Sequence, residues 1–282
     1  MLSPDTYPQL LAVFVVGLVM GSFVNVVIHR LPLQLQSAWR RESLDFLGMA
    51  PEPDAPRLNL AFPASHCPHC QAPIKPWHNI PVLSYLLLRG KCHQCKAPIS
   101  AQYPLVELAT ALLVVVAISH FGLTAQGALA ALFGVALVAL TGIDFRHQLL
   151  PDIITLPLLW LGLLANSGGL FTDLNSAVIG AVAGYLALWL VFWGFKLLTG
   201  KEGMGHGDFK LLAALGAWVG WQQLPLIVLL SSAVGAIVGV AAIAFARRDR
   251  QIPMAFGPYL AVAGWIALFW GEAIINGYLA LL

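Results

Sequence analysis

Two groups of side chains in this sequence are of types and spacings that could do chemistry. The first is a pair of C-x-x-C elements, Cys67-Pro68-His69-Cys70 and Cys92-His93-Gln94-Cys95, separated by 21 residues. Four thiolates at this spacing can surround one Zn²⁺ tetrahedrally, each pair delivered by a tight turn. Such a site has no open coordination position, so the metal would stabilise the fold and perform no reaction. Paired disulfides are the alternative. A thioredoxin-like redox role needs one C-x-x-C opening a helix in a βαβ setting, and no such pattern is present. His66, His69, His78 and His93 lie close in sequence and read as surface residues rather than ligands.

The second group is acidic. Of thirteen carboxylates, Asp5, Glu42, Asp45, Glu52, Asp54, Asp173, Glu202, Asp249 and Glu272 fall in loops or near termini, where solvation explains them. Glu107, Asp144, Asp152 and Asp208 instead adjoin the ends of apolar runs, where an ionisable group is costly and a functional role is the default expectation. Asp144 closes Thr141-Gly142-Ile143-Asp144-Phe145-Arg146, and Asp208 opens Gly205-His206-Gly207-Asp208-Phe209-Lys210. Both are expected at one depth, just inside a membrane face. Two carboxylates brought together do not both ionise readily, so one keeps a proton. That pairing can split an amide, with the ionised member activating water and the protonated one polarising the carbonyl. The glycines before Asp208 leave room for backbone and substrate to approach. The alternative is structural: Asp144 pairs with Arg146 or caps a helix, and Asp208 N-caps the helix that follows.

The elements that must position these groups are membrane helices. Hydrophobic residues make up 59% of the 282 and charged residues 10%, with a mean hydropathy of +0.80. Soluble domains carry about 25% charged residues. The net charge of +2 gives no argument for nucleic acid or an acidic partner. The first apolar run, Leu10 to Ile28, is long enough to span, and its start, Met1-Leu2-Ser3-Pro4-Asp5, lacks the basic residues of a signal peptide. It reads as a retained helix. Residues 30–102 are different: rich in proline, they hold all four cysteines and eight of the fifteen basic residues. Apolar runs then follow at roughly 103–120, 125–143, 149–166, 174–198, 209–224, 225–246 and 257–280, the fourth and sixth spans of the resulting eight being short. With the N-terminus outside and strict alternation, all fifteen Lys and Arg fall on one side, including Arg146, Lys196, Lys201, Lys210 and the Arg247-Arg248-Asp249-Arg250 cluster. Basic loops stay in the cytoplasm, so the insert and its cysteines lie in a reducing compartment, which disfavours disulfides. Omitting the short sixth span would put the Arg247–Arg250 cluster on the wrong side. No internal repeat or low-complexity tract is evident. The expectation is an all-α polytopic membrane protein of about eight transmembrane helices with a cytosolic zinc-ribbon-like insert after the first helix. Its divisions are a first helix over 1–29, a zinc-binding insert over 30–102 and a seven-helix membrane domain over 103–282.

Gly205-His206-Gly207-Asp208 is the G-x-G-D element of polytopic aspartyl proteases, and the chain resembles the bacterial type IV prepilin peptidases nearly end to end. The resemblance rests on Gly21 through Pro32, the two cysteine pairs, Pro76-Trp77-His78-Asn79-Ile80-Pro81, Tyr103 through Leu108, Asp144 with His147 through Asp152, and Glu202 through Lys210. It implies a catalytic pair at Asp144 and Asp208, with Asp152 in a conformational or capping role. It also implies prepilin and pseudopilin substrates, a place in the bacterial inner membrane with the large loop in the cytoplasm, and no nucleic-acid partner. A second activity is implied as well: methyl transfer from S-adenosylmethionine to the newly exposed N-terminal amine. Gly203-Met204-Gly205-His206-Gly207 superficially matches a cofactor loop, but such a loop needs a preceding strand in a βαβ unit. The methyl donor is expected at the insert and its junction with the first span. Asn25, His29, Gly90, Lys91 and Glu107 are candidates by position, each with a structural alternative in packing, turn formation or interfacial anchoring. Metalloproteases and serine hydrolases are disfavoured by the absence of H-E-x-x-H and G-x-S-x-G. The competing readings are an ion- or proton-coupled transporter and a non-enzymatic zinc-bearing scaffold of a secretion complex.

Overall fold

The computed structural model describes residues 6–50, 59–201, 203–246 and 255–281. Met1–Asp5, Glu52, Asp54, Glu202 and the Arg247–Arg250 cluster therefore lie outside the described residues. Every regular element among the described residues is helical, and strand-like pairing is limited to two isolated bridges. The chain forms two compact units, Met1–Ala139 and Leu140–Leu282.

The first unit is built on α1 (Thr6–Phe46) and α3 (Gln102–Phe121), with the short α2 (Leu83–Leu87) between them in sequence and the first part of α4 (Ala125–His147) after them. The apolar run of α1 ends near Ile28, yet the helix continues through Pro32 to Phe46. Its 41 residues correspond to roughly 62 Å at 1.5 Å per residue, about twice a hydrocarbon core. Leu, Gln, Ala, Arg and Glu dominate the added segment, and their helix propensity carries it onward. Helices α1 and α3 pack antiparallel. A Cβ on Gly17 would lie 2.6 Å from the Ala111 Cα, and one on Gly21 2.6 Å from the Glu107 Cα. Gly17-x-x-x-Gly21 is thus a small-residue stripe that lets two membrane helices touch backbone to backbone.

Between α1 and α3 the insert contains a feature that the sequence reading passed over. Ser65-His66-Cys67-Pro68-His69-Cys70-Gln71-Ala72-Pro73-Ile74 and Gly90-Lys91-Cys92-His93-Gln94-Cys95-Lys96-Ala97-Pro98-Ile99 are one turn built twice. In each, the first Cys N–H donates to the alanine carbonyl five residues on, at 2.9 and 2.8 Å. The residue after the second Cys takes φ +59° in both, and the isoleucine N–H closes the turn at 2.9 and 2.7 Å. The shared C-x-x-C-x-A-P-I spelling was the available signal for an internal repeat.

The second unit holds the end of α4, α5 (Asp152–Ser167), α6 (Leu174–Thr199), α7 (His206–Val219), α8 (Leu224–Ala246) and α9 (Gly257–Leu279). Counting α1 and α3, these eight helices match the eight expected spans. Six are long and apolar enough to cross a membrane, so the chain is a multi-pass membrane protein. The two short ones are α5, with 16 residues, and α7, with 14. At 1.5 Å per residue α7 reaches only about 21 Å. Its position explains how so short a helix persists: apart from Lys210, every residue from Asp208 to Val219 is buried, against α5, α6 and α9. A helix apolar on all sides suits either protein or lipid, and here it is protein that surrounds it.

Glycines set these approaches. Gly180 and Gly184 of α6 meet the backbone of Gly216 and Leu212 in antiparallel register, and Gly264 of α9 receives the Leu215 side chain. Gly162 of α5 admits the Trp218 indole, whose Nε1 donates to the Leu158 carbonyl at 2.8 Å. Asn166 satisfies both ends of its buried amide. Its Nδ2 donates to the Ala217 and Trp218 carbonyls at 2.8 and 3.0 Å, and its Oδ1 accepts from Phe171 and Thr172 N–H at 3.0 and 3.1 Å. That fixes the C-terminal end of α7, where carbonyls would otherwise lack partners.

Candidate active site and metal centre

Asp208 lies in the first turn of α7, and Gly205, not Asp208, is its N-cap, without a side-chain cap. The Asp208 N–H donates to the Gly205 carbonyl at 3.2 Å. Asp144 lies near the end of α4 and turns away from Arg146: its Oδ2 accepts the N–H of Gly257, the first residue of α9, at 3.0 Å. Both carboxylates are buried, and they lie within Coulombic reach of each other. Asp208 stands in the first turn of α7, and the Asp144 carboxylate, carried by the last turn of α4, lies against the start of α9. At both helix starts the macrodipole and free N–H groups favour negative charge.

Leu150, in the turn after α4, packs between the two supports. A Cβ on Gly207 would lie 2.8 Å from the Leu150 Cβ, and one on Gly257 3.1 Å from the Leu150 Cδ2 and 2.6 Å from the Asp144 Oδ2. So Gly207, Leu150 and Gly257 set the spacing of the helix ends around the aspartates. Sequence reading found both acids but gave no role to Leu150 and missed Gly257, which sits 113 residues from Asp144 with nothing but a Gly-Pro helix start to flag it. Asp152 is the first residue of α5. Its two oxygens accept from the Lys210 Nζ at 2.8 and 2.7 Å, tying the start of α5 to the start of α7. An aromatic cluster of Phe192, His206 and Phe209, with centroids 5.1 to 5.6 Å apart, packs the other side of that first turn.

In the first unit the sulfurs of Cys67, Cys70, Cys92 and Cys95 all lie within 4.8 Å of one another, and none is in a disulfide. Four sulfurs about 2.3 Å from one ion at tetrahedral angles stand about 3.8 Å apart. The Cys67–Cys95 separation is 3.8 Å, so the set is of a size to hold a metal ion. Backbone N–H groups of Cys95 and Gln94 pull the Cys92 thiol down to about 6. Cys95, despite the Ala97 N–H, is pushed up to about 11 by burial and by the neighbouring thiols. Four crowded thiols thus resist ionising together, a conflict that a bound divalent cation removes. His78 and His93 stack on each other with centroids 4.6 Å apart and are not part of the sulfur cluster.

The five positions considered for the methyl donor separate. Gly90, at φ +66°, and Lys91, bridged to Pro98, belong to the second cysteine turn. His29 is exposed on α1. Asn25 and Glu107 come together across the α1–α3 contact, where the Asn25 Nδ2 donates to the Tyr103 carbonyl at 3.0 Å. Glu107 Oε2 accepts the Val82 N–H at 2.7 Å, holding a β-branched residue at φ +59°.

Comparison with known proteins defines the class. Residues 15–121 match the bacterial peptidase A24 N-terminal domain, and residues 130–240 match the type IV leader peptidase family. The protein is therefore an enzyme of a protease family. A prepilin leader peptidase/N-methyltransferase of Pseudomonas aeruginosa is 56% identical over 95% of this chain and 93% of its own length. Proteins of that name from Stutzerimonas stutzeri and Aeromonas hydrophila are 55% and 57% identical over 95% of this chain, and over 93% and 92% of their own lengths. The chain belongs to the type IV leader peptidase family. No solved structure matches it.

Proposed function

We propose that this protein is a membrane aspartyl endopeptidase. It removes the leader from type IV prepilins and type II secretion pseudopilins at the cytosolic face of the bacterial inner membrane, then N-methylates the new N-terminal residue with S-adenosylmethionine. The observation that carries the reading is the buried Asp144–Asp208 pair, each carboxylate against a helix N-terminus, in a chain of this family. The pair shares one proton. Asp144, with the Gly257 N–H on its Oδ2, is the ionised member and takes a proton from the attacking water. Asp208 donates its proton to the scissile carbonyl oxygen, and collapse of the tetrahedral adduct sends a proton to the departing amine.

A substrate whose basic leader stays in the cytosol and whose apolar stretch enters the bilayer presents its junction at this depth. A small residue, glycine by size, precedes the cut, because a bulky side chain would block approach to two adjacent carboxylates. Cys67, Cys70, Cys92 and Cys95 hold a zinc ion that stabilises the insert and leaves no position for substrate. S-adenosylmethionine supplies the methyl group as a sulfonium. The two activities draw on different residues, with the dyad wholly within Leu140–Leu282 and the cysteines wholly within Met1–Ala139.

The test uses Asp144→Asn and Asp208→Asn on intact and pre-cleaved substrate with labelled methyl donor. Neither variant should cut the intact substrate, and both should methylate the pre-cleaved one. Cleavage by either variant at a near-normal rate sinks the dyad. Failure of a well-folded Asp208→Asn protein to methylate pre-cut substrate would mean that the two activities share one site. A transporter or a scaffold would not shorten a prepilin at all.

A further inference from the structure

The α1–α3 contact buries two polar side chains that cleavage does not use. Asn25 is 5% exposed and Glu107 7%. They lie one turn apart on that contact, since Gly21 packs on Glu107 and Asn25 bonds the Tyr103 carbonyl one turn earlier on α3. The Asn25 amide is held by its nitrogen, which donates to Tyr103 at 3.0 Å and more weakly to Gly21 at 3.4 Å. Its Oδ1 is left buried with no hydrogen-bond partner. Glu107 receives the Val82 N–H and the Ser22 hydroxyl, and among the described residues no Lys, Arg or His pairs with it. A carboxylate without a cation and a carbonyl without a donor therefore lie one helical turn apart on a shared contact. Each is expensive alone, since a buried acceptor left without a donor keeps its full desolvation penalty, and a charged one more so.

Acceptors without donors define the complement. A positive group with several N–H bonds would neutralise Glu107 and fill the Asn25 Oδ1 together, and a primary ammonium has three such bonds in a small volume. A metal ion fits poorly, because Glu107 Oε2 is already committed to Val82 and a single carboxylate with one amide oxygen is a thin shell. We propose that Asn25 and Glu107 seat a primary aliphatic ammonium group of one methyl-transfer reactant. If it is the substrate N-terminus, Glu107 takes one of its protons, so that the neutral nitrogen bonds the methyl carbon as the carbon–sulfur bond of the donor breaks and the thioether leaves. Both reactants of that step offer one, the new N-terminus of the cleaved substrate and the methionine portion of the donor. This inference rests on the methyltransferase reading above and assigns residues to it.

Full-length protein in detergent micelles decides the matter with two ligand pairs. The first is a peptide with the mature pilin N-terminus, as the free amine and N-acetylated. The second is S-adenosylmethionine and its analogue lacking the amino group. The wild type should prefer the ammonium-bearing member of one pair, which names the source. Glu107→Gln keeps an acceptor for the Val82 N–H and removes the charge. It should weaken that preference by roughly 10- to 100-fold and raise KM for the same reactant in methylation. Asn25→Leu should weaken it less, while zinc content and cleavage of intact prepilin stay near wild type in both variants. Unchanged preference in both pairs for Glu107→Gln overturns the proposal. So does parallel loss of binding, cleavage and zinc, which would make Glu107 only a pin for the turn at Val82. A wild type that binds the ammonium ligand but methylates nothing would instead sink the methyltransferase reading.

Discussion

Adding one methyl group at Gly257 tests whether the Asp144 geometry matters to cleavage. The alanine Cβ would stand 2.6 Å from the Asp144 Oδ2 and 3.1 Å from the Leu150 Cδ2. An ordinary carbon–oxygen contact is about 3.3–3.6 Å, so the carboxylate must retreat by roughly 0.7–1 Å or the start of α9 must shift by as much. Either movement stretches the 3.0 Å hydrogen bond from the Gly257 N–H. A bond of that kind to a charged group contributes about 1.5–3 kcal/mol. A displacement of about 1 Å at a reacting group costs on the order of 100-fold in rate. Gly257→Ala should therefore lower kcat for cleavage of a detergent-solubilised prepilin by about 30- to 100-fold, with KM changed less than kcat. Methylation of pre-cut substrate should persist. Gly194→Ala, where a Cβ meets nothing within 4 Å, is the matched control and should be silent. Cleavage by Gly257→Ala within threefold of wild type, beside an inactive Asp144→Asn, would refute the claim that this N–H positions the acid.

Other expectations follow from single contacts. Asp152→Asn loses charge from the Lys210 pair, whose side chains are 53% and 31% exposed. At about 0.2–1 kcal/mol for such pairs, it should slow cleavage only a few-fold, and Lys210→Gln should match it. Serine at Cys67, Cys70, Cys92 or Cys95 should release zinc, measured by metal analysis, and lower abundance and activity together; purified wild type without zinc, or with disulfides, would contradict this. Asn166→Leu strands two carbonyls and two N–H groups and should lower the unfolding free energy by about 3 kcal/mol or more, read as a fall in Tm. Asp173 N-caps α6, where the Ser176 hydroxyl and the Ser176 N–H, the latter at 2.9 Å, hold its carboxyl below the usual range. Its contribution is present above the ordinary carboxylate range and lost as pH falls through the depressed value. The Tm of Asp173→Asn should therefore change less than that of wild type on acidification below about pH 4.

What the sequence discloses and what it hides follow from the range of each interaction. Span number and the short lengths of α5 and α7 are legible because a bilayer imposes length and apolarity locally. The cysteine turns are legible because their ligands lie three residues apart. The path of α1 beyond Ile28 was not, since leaving the apolar run does not stop a helix rich in Leu, Gln, Ala and Arg. Gly257 was hidden because its role is an N–H offered across 113 residues, and any residue type carries an N–H. What makes it glycine is the side chain of Asp144 beside it, visible only once the two are packed. The burial of α7 was likewise concealed: its apolarity looks the same whether lipid or protein surrounds it.

That burial constrains how the enzyme comes into being. A helix of 14 residues, sheathed by α5, α6 and α9, has no stable lipid-facing state to wait in while the ribosome finishes. The last of its partners, α9, also brings the Gly257 N–H that Asp144 requires. During synthesis the chain therefore passes through a stage in which both acids are translated and Asp144 still lacks the Gly257 N–H. On the reading proposed above, cleavage therefore waits for α9 to dock, because α9 supplies the N–H on the Asp144 Oδ2.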